Sequence, residues 1–372
     1  MHKHTNPARA ATELLKRRSI RNNLTEWARH KGFEPALHHH LFIREIEAFL
    51  KSEDEVLLLF APPGSAKSTY VSVLLPSWYL AANSNHSVLA ATHNVEFAER
   101  GGRRVRNDIA ADANVLGISL SEDSKAAARW SLESGGEYYG VGAGVGISGF
   151  RANLGVADDL FGSREDAYSD TVRQKRWDWY VDDFSARLKP GAKRILMNTR
   201  WHEEDVAGRV LDQIERKEIK GRLISIPAIA VENDPLGRKP GEYLWDDPDG
   251  YDYGAFLRAR QRETSPMMWA ALYQQRPAPE EGDYFKAAWL KPCDKLPARE
   301  IMHVYGGSDY AGKPLAWAEE KGQISAGVGP ALDRRQRERQ AWCVSTNRNL
   351  QNVAPGVARG ATANRHSRSH RP

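Results

Sequence analysis

The stretch that most narrows the possible folds is "EVLLLFAPPGSAKSTYVSVLLPSWYLAA", residues 55–82. An unbroken apolar run from Val56 to Phe60 enters a turn holding Pro62, Pro63 and Gly64, and apolar residues then return at helical spacing. A short run of that kind suits a strand buried on both faces, and the period after it suits a helix. "SVLAATHNVEFAERGGRRVRNDIA" repeats the unit, and further strands are predicted at Leu154 to Ala157 and at Arg194 to Asn198. Each leaves its apolar run into a polar loop and a helical pattern. Repeated units of this type predict an α/β fold, a mostly parallel sheet flanked by helices, with its chemistry at the carboxyl ends of the strands.

The turn itself, "APPGSAKST" from Ala61 to Thr69, sits between strand and helix, as a phosphate-binding loop requires. Against the pattern GxxxxGK[ST], alanine occupies both glycine positions, Ala61 and Ala66. The chemistry survives that change. Gly64 allows a tight loop, the N–H groups of Ser65, Ala66, Lys67 and Ser68 can face phosphates, and Thr69 opens the helix. Lys67 reaches the β and γ oxygens, and the Ser68 hydroxyl suits Mg²⁺, so ATP and Mg²⁺ are the expected ligands. The competing local account is a proline-rich turn with an exposed lysine.

A loop of this kind needs a neighbouring strand that ends in acid, and "NLGVADDLFGSREDA" supplies it. Asp158 is expected at the metal, and Asp159 where a carboxylate would orient water. Glu165 and Asp166 compete with Asp159 for that role, and the whole run also reads as a capped helix start. In "ILMNTRWHEEDVAGRV", Thr199 is placed to sense the γ-phosphate. His202, Glu203, Glu204 and Asp205 read as a capped helix beginning at the histidine, in preference to a metal site.

Composition sets the outer limits. The chain has 372 residues, 41% of them hydrophobic and 27% charged, which is enough to bury a core in more than one domain. A net charge of +5 leans only mildly toward a polyanionic partner. Cys293 and Cys343 lack metal-ligand spacing, and no apolar run approaches the roughly 20 residues of a membrane span, so a cytoplasmic protein is expected.

Several long blocks resemble one family in the right order: "APPGSAKSTY", "ATHNVEFAERGGRRVRNDI", "GFRANLGVADDLFGSREDA", "WDWYVDDFSARLKPGAKRILMNTRWHEEDVAGRVL" and "WAALYQQRPAPEEGDYFK". They are similar to the large subunit of tailed-phage terminases, and the likeness runs from about Glu34 to Tyr310. The resemblance implies a P-loop ATPase that moves double-stranded DNA into a procapsid, followed by a nuclease of the RNase H type using two metal ions. It also implies a portal protein, a small terminase subunit and a homo-oligomer as partners, in the cytoplasm of the bacterial host. By position, Lys67 and Ser68 match the Walker A pair, Asp158 the Walker B acid, Asp159 the catalytic carboxylate and Thr199 the coupling motif. Arg100, Arg103, Arg104 and Arg106 follow the second strand as a DNA contact, an arginine finger or a solvated basic face.

Apolar residues at helical spacing from about Ala8 to Phe49, the Pro- and acid-rich stretch "QRPAPEEGDYF" and the loss of apolar period after about Gln340 join the resemblance in predicting domains at 1–50 (helical lead-in), 51–276 (ATPase), 277–300 (linker), 301–341 (nuclease segment) and 342–372 (basic tail). In the nuclease segment, "VYGGSDYA" brings Asp309 and "PLAWAEEKGQISAGVG" brings Glu319 or Glu320 as metal acids. Two parallel neighbouring strands need a crossover of about a dozen residues, and only three residues lie between Tyr310 and Pro314. An incomplete nuclease without cleavage activity is therefore expected, from an internal deletion. The last 31 residues hold five arginines and no lysine, aspartate or glutamate, so no third acid follows there. Two other readings stay open at this point: an inert prophage remnant, and a helicase-like P-loop translocase.

Overall fold

The computed structural model describes residues 7–123, 126–247 and 250–277. Three helices lead in: α1 (Pro7–Asn22), α2 (Leu24–His30) and α3 (Leu37–Lys51). The expected single helical stretch is thus cut twice. Asn23 caps α2 through its side chain, which accepts from the Glu26 N–H, and Gly32 takes a left-handed turn at φ 82° ahead of Pro35. Both breaks are local chemistry, a side-chain cap and a glycine turn, that overrides the apolar period.

The sheet then begins with β1 (Val56–Phe60), which leads through the phosphate-loop candidate into a wide-wound turn, Thr69–Leu74, and α4 (Leu75–Ala82). Next come β2 (Ser87–Thr92), α5 (Val95–Ala111), the short α6 (Ala113–Leu116), β3 (Arg129–Ser131) and β4 (Glu137–Gly142). After them follow β5 (Ala152–Asp158), α7 (Arg164–Tyr168), α8 (Asp170–Trp179), β6 (Leu188–Asn198), α9 (Val206–Glu215) and β7 (Gly221–Ser225). Helices α10 (Tyr253–Glu263) and α11 (Pro266–Met268) close the described part.

The strand order is β3-β4-β2-β5-β6-β1-β7, parallel throughout except for β3 against β4. The mostly parallel α/β sheet is the one expected, with β3, β4 and β7 added beyond it. Strands β1 and β2 are buried along nearly their whole length because helices cover both faces. One face packs Leu57, Leu59, Val156, Ile195 and Met197 against α3 and α4; the other packs Val56, Leu58, Phe60 and Leu196 against α8 and α9. Burial of those side chains is what fixes register, since a slip by one residue would exchange the two faces.

That register positions the site. Phe60 lies opposite Asn198, and Asp158 lies opposite Met197. The chain therefore leaves β1, β5 and β6 at one level, at the carboxyl edge. Strand β6 starts earlier than predicted, at Leu188, and a bulge between Ala152 and Leu154 absorbs its half-exposed, glycine-containing lead-in. No helix among the described residues is long and apolar enough to cross a membrane. Asp309, Glu319 and Glu320, and the segments proposed as linker, nuclease and tail, lie outside the described residues, apart from the start of the linker at Pro277.

Candidate phosphate site

Gly64 turns the loop at φ 83°, and a side chain there would meet the Tyr253 ring at 3.1 Å, so conformation and space both call for glycine. Ala66 stands in the left-handed region as well, at φ 59°. The loop keeps a glycine geometry at a position that has lost its glycine, at a cost of about 1–2 kcal/mol.

Loop carbonyls are gripped from outside. The Tyr253 hydroxyl donates to the Pro63 carbonyl, and His38 and His39 Nε2 reach the Ser65 carbonyl at 3.1 and 2.9 Å. Turning carbonyls outward leaves the concave side of the loop to backbone N–H groups, which is how such loops bind anions. Ser65 departs from the expected role. Its N–H and its hydroxyl both donate to the Pro62 carbonyl, at 3.4 and 2.8 Å, so its amide serves the turn. The Thr69 N–H closes the loop on the Ala66 carbonyl at 3.0 Å.

Lys67 is the centre of the arrangement. Its side chain is only 6% exposed, and Nζ donates to Asp159 Oδ2 and to Thr199 Oγ1, each at 2.7 Å. The Thr199 N–H in turn donates to Asp159 Oδ1 at 2.6 Å. Asp159 can reach both because it leaves β5 at φ 45°, a strained turn for a non-glycine residue. Three sequence-predicted residues from three separate strand exits thus meet in one hydrogen-bonded ring. Glu165, by contrast, is exposed in the first turn of α7, behind the Ser163 cap.

Asp158 lies beside them and is buried. Its Oδ2 accepts from Ser72 Oγ at 2.6 Å, while Oδ1 has no partner in the structure. Burial pushes its pKa up to about 6, the neighbouring Asp159 charge adds to this, and Lys67, Ser72 and Ser68 oppose it. A buried carboxylate oxygen without a donor is a poor ending for a strand and a good ligand for a cation or its water. The residues present therefore fit a divalent metal, with Asp158 and the exposed Ser68 hydroxyl as its holders.

The loop after β6 is fastened by a charge pair. Arg200 Nε donates to Asp205 Oδ2 at 3.0 Å, and both side chains are almost wholly buried. The same guanidinium donates to the carbonyls of His202 and Glu203, and the Gln275 side chain accepts from the Arg200 N–H at 3.3 Å. Helix α9 accordingly begins at Val206 with Asp205 as its cap, four residues later than the expected start at His202, because Asp205 bonds the Gly208 N–H at 2.8 Å. Arg100, Arg103 and Arg104 are exposed along α5, while the half-buried Arg106 donates to the Ala126 carbonyl at 3.0 Å.

Sequence reasoning missed His38, His39, Ser72, Tyr253 and Trp245. The last of these belongs to a cleft of about 920 Å³ beside the loop, whose walls include Pro35, His38, Tyr243, Trp245, Asp246 and Tyr251. Only the clustered "LHHHLF" could have drawn attention, since three adjacent histidines on an otherwise apolar helix are out of place.

Comparison with known proteins adds a family. A family model described as terminase large subunit, T4likevirus-type, N-terminal, matches residues 58–292. Among solved structures, the HK97 bacteriophage large terminase is similar with 11% identity and a TM-score of 0.46, covering 63% of this chain and 50% of that one. The large terminase of a thermophilic bacteriophage in complex with ATP-gamma-S is similar with 11% identity and a TM-score of 0.37, covering 69% and 51%. Another crystal form of that thermophilic-phage protein gives 13% identity and a TM-score of 0.39, covering 73% and 56%. The chain thus spans about half the length of the solved terminases it matches. No curated protein matches it.

Proposed function

The chain belongs to the terminase large-subunit family in its T4-like amino-terminal part, and from that premise we propose that it is an ATPase that drives double-stranded phage DNA into procapsids. The observation that carries this reading is the ring at Lys67, where the loop lysine, Asp159 and Thr199 close over one another at the strand ends.

The ring suggests how hydrolysis is prepared. An incoming phosphate draws Lys67 Nζ away from Asp159 Oδ2, because a multiply charged phosphate outweighs one carboxylate. Asp159 stays anchored through Oδ1 by the Thr199 N–H, so the freed Oδ2 is held in place to orient water and accept its proton. Thr199 keeps a hydroxyl at the point Lys67 leaves, which makes it the group that reports an occupied γ position. Ser68 and Asp158 would hold Mg²⁺, and when bound that ion supplies neutralisation of the phosphate charge. The base has room in the aromatic cleft, which shares His38 with the phosphate loop.

Double-stranded DNA, a portal protein, a small terminase subunit and further copies of the chain on the portal are the partners proposed, in the host cytoplasm. Asp309, Glu319 and Glu320 are proposed as relics of a nuclease site without cleavage activity, on the spacing argument given above. Mn²⁺-dependent plasmid cleavage that vanished in Asp309→Ala would overturn that part. For the ATPase, hydrolysis by the purified chain should appear with Mg²⁺, rise with double-stranded DNA and disappear in Lys67→Ala. A folded wild-type chain that neither binds nor hydrolyses ATP would sink the reading.

A further inference from the structure

Two histidines from the lead-in helix meet on a single carbonyl of the phosphate loop, and nothing in the sequence motif requires them. His38 and His39 open α3, both are 1% exposed, and both direct Nε2 at Ser65 O. Their protonation follows from the partners. The Ala36 N–H donates to His39 Nδ1 at 3.1 Å, so that nitrogen is an acceptor and the proton sits on Nε2. Ser65 O can only accept, so His38 must also present an N–H from Nε2. Burial holds both rings neutral, His39 down to about 4 and His38 well below its ordinary range.

The pair is itself locked. The two rings lie 3.8 Å apart between centroids, Tyr70 stacks on His39 at 4.1 Å, and Trp245 sets its edge against His39 at 5.0 Å. Tyr70 belongs to the turn that follows the loop, so α3 holds the loop at one end and the helix behind it at the other. On the far side Tyr253 holds the Pro63 carbonyl. Between these grips lie Gly64 and Ala66, both left-handed, a conformation that for alanine needs outside support.

We infer that His38 and His39 are positioning residues for nucleotide binding: two neutral N–H donors on one carbonyl hold the Ser65 peptide turned outward and so keep the adjacent N–H groups aimed at phosphate. This inference rests on the ATPase reading above. A loop with alanine at both glycine positions of the motif has less intrinsic preference for the cradle shape, and the histidines supply it from the lead-in helix.

The test uses the full chain and ATP as the probe. The variant His38→Phe/His39→Phe keeps two flat rings in the stack and removes both donors, while His39→Gln keeps an N–H at a similar reach. Loss of the donors should raise the KM for ATP about tenfold, the weight of a lost hydrogen bond or two, with kcat changed less. His39→Gln should recover most of that loss. Hydrogen exchange of the 62–68 segment in the nucleotide-free protein should quicken in the Phe variant and return toward wild type in the Gln variant. If the double variant does not fold, His39→Phe beside His39→Gln makes the same comparison. Wild-type KM and exchange in a folded donor-free variant would overturn the inference and leave the ATPase reading standing. A wild-type chain that binds no ATP, while behaving like Lys67→Ala, would remove both.

Discussion

Asp158→Asn changes one buried charge and almost no volume, and two opposite outcomes are expected from it. The carboxyl is 7% exposed, keeps Oδ1 without a donor, and has its pKa raised from 3.8, first by burial and then by Asp159. In the folded chain the proton is therefore held more tightly than in the unfolded one. A raised carboxyl pKa contributes stability that is complete below the ordinary carboxylate range and is lost as pH rises through about 6. Above that point the wild type carries an ionised group whose cost, at about 1.4 kcal/mol per pK unit, comes to roughly 3 kcal/mol. Asparagine keeps an acceptor for Ser72 and carries no charge at any pH. The variant should be more stable than wild type by about 3 kcal/mol at pH 7.5, or about 6–12 °C in Tm. The advantage should grow between about pH 4 and pH 6 and stay level above that. Calorimetry of both proteins across this range gives the comparison, and Mg²⁺-dependent ATP hydrolysis should be lost in the same variant. A Tm for Asp158→Asn at or below wild type from pH 7 to 8 would show that Lys67 already compensates the charge, and that the carboxylate is no strained cation site.

Ala66→Gly should stabilise the chain by about 0.5–1 kcal/mol, because relief at φ 59° outweighs the added freedom of the unfolded chain; a lower urea midpoint would contradict this. Gly208→Ala should cost about 3 kcal/mol, since its Cβ would fall 1.7 Å from the Glu203 carbonyl that Arg200 binds; a denaturation curve matching wild type would show that the loop yields freely. Thr199→Val removes one of the two acceptors of Lys67 and keeps the N–H to Asp159. Its kcat should fall at least tenfold without weaker ATP binding, and a rise in KM alone would assign Thr199 to binding instead.

What could be read in the sequence follows from where the information lies. Strands β1, β2 and β5 announce themselves because both their faces are buried, and the loop and acids stand at their ends for the same reason. Asp158, Asp159, Lys67 and Thr199 were legible as exits from apolar runs. The hairpin strands β3 and β4 went unpredicted although "ESGGEYYGVG" carries a glycine turn before an aromatic strand. Other omissions have a different cause. Ser72 meets Asp158 across 86 residues, Tyr253 meets Pro63 across 190, and His38 meets Ser65 across 27, so no local window contains both partners. The late start of α9 differs, since all its partners are local: the choice between His202 and Asp205 as cap is made by the buried pairing of Arg200 with Asp205 and with nearby carbonyls, and pairing geometry is not written in the residue pattern.

The hydrogen bonds of Lys67 bear on which anions the site admits. The lysine is already neutralised from within the chain, by a carboxylate that never diffuses away. Any free anion competes against a group held at high effective concentration, and its apparent affinity is reduced by the fraction of time the lysine is released. Inorganic phosphate carries no nucleoside and no second phosphoryl group, so it brings fewer contacts to that competition. On the function proposed above, a nucleoside triphosphate would meet the loop amides, the proposed metal holders and the lysine together, and its number of contacts would decide the competition. Asp159 would then exclude the spent product as effectively as it later serves the substrate.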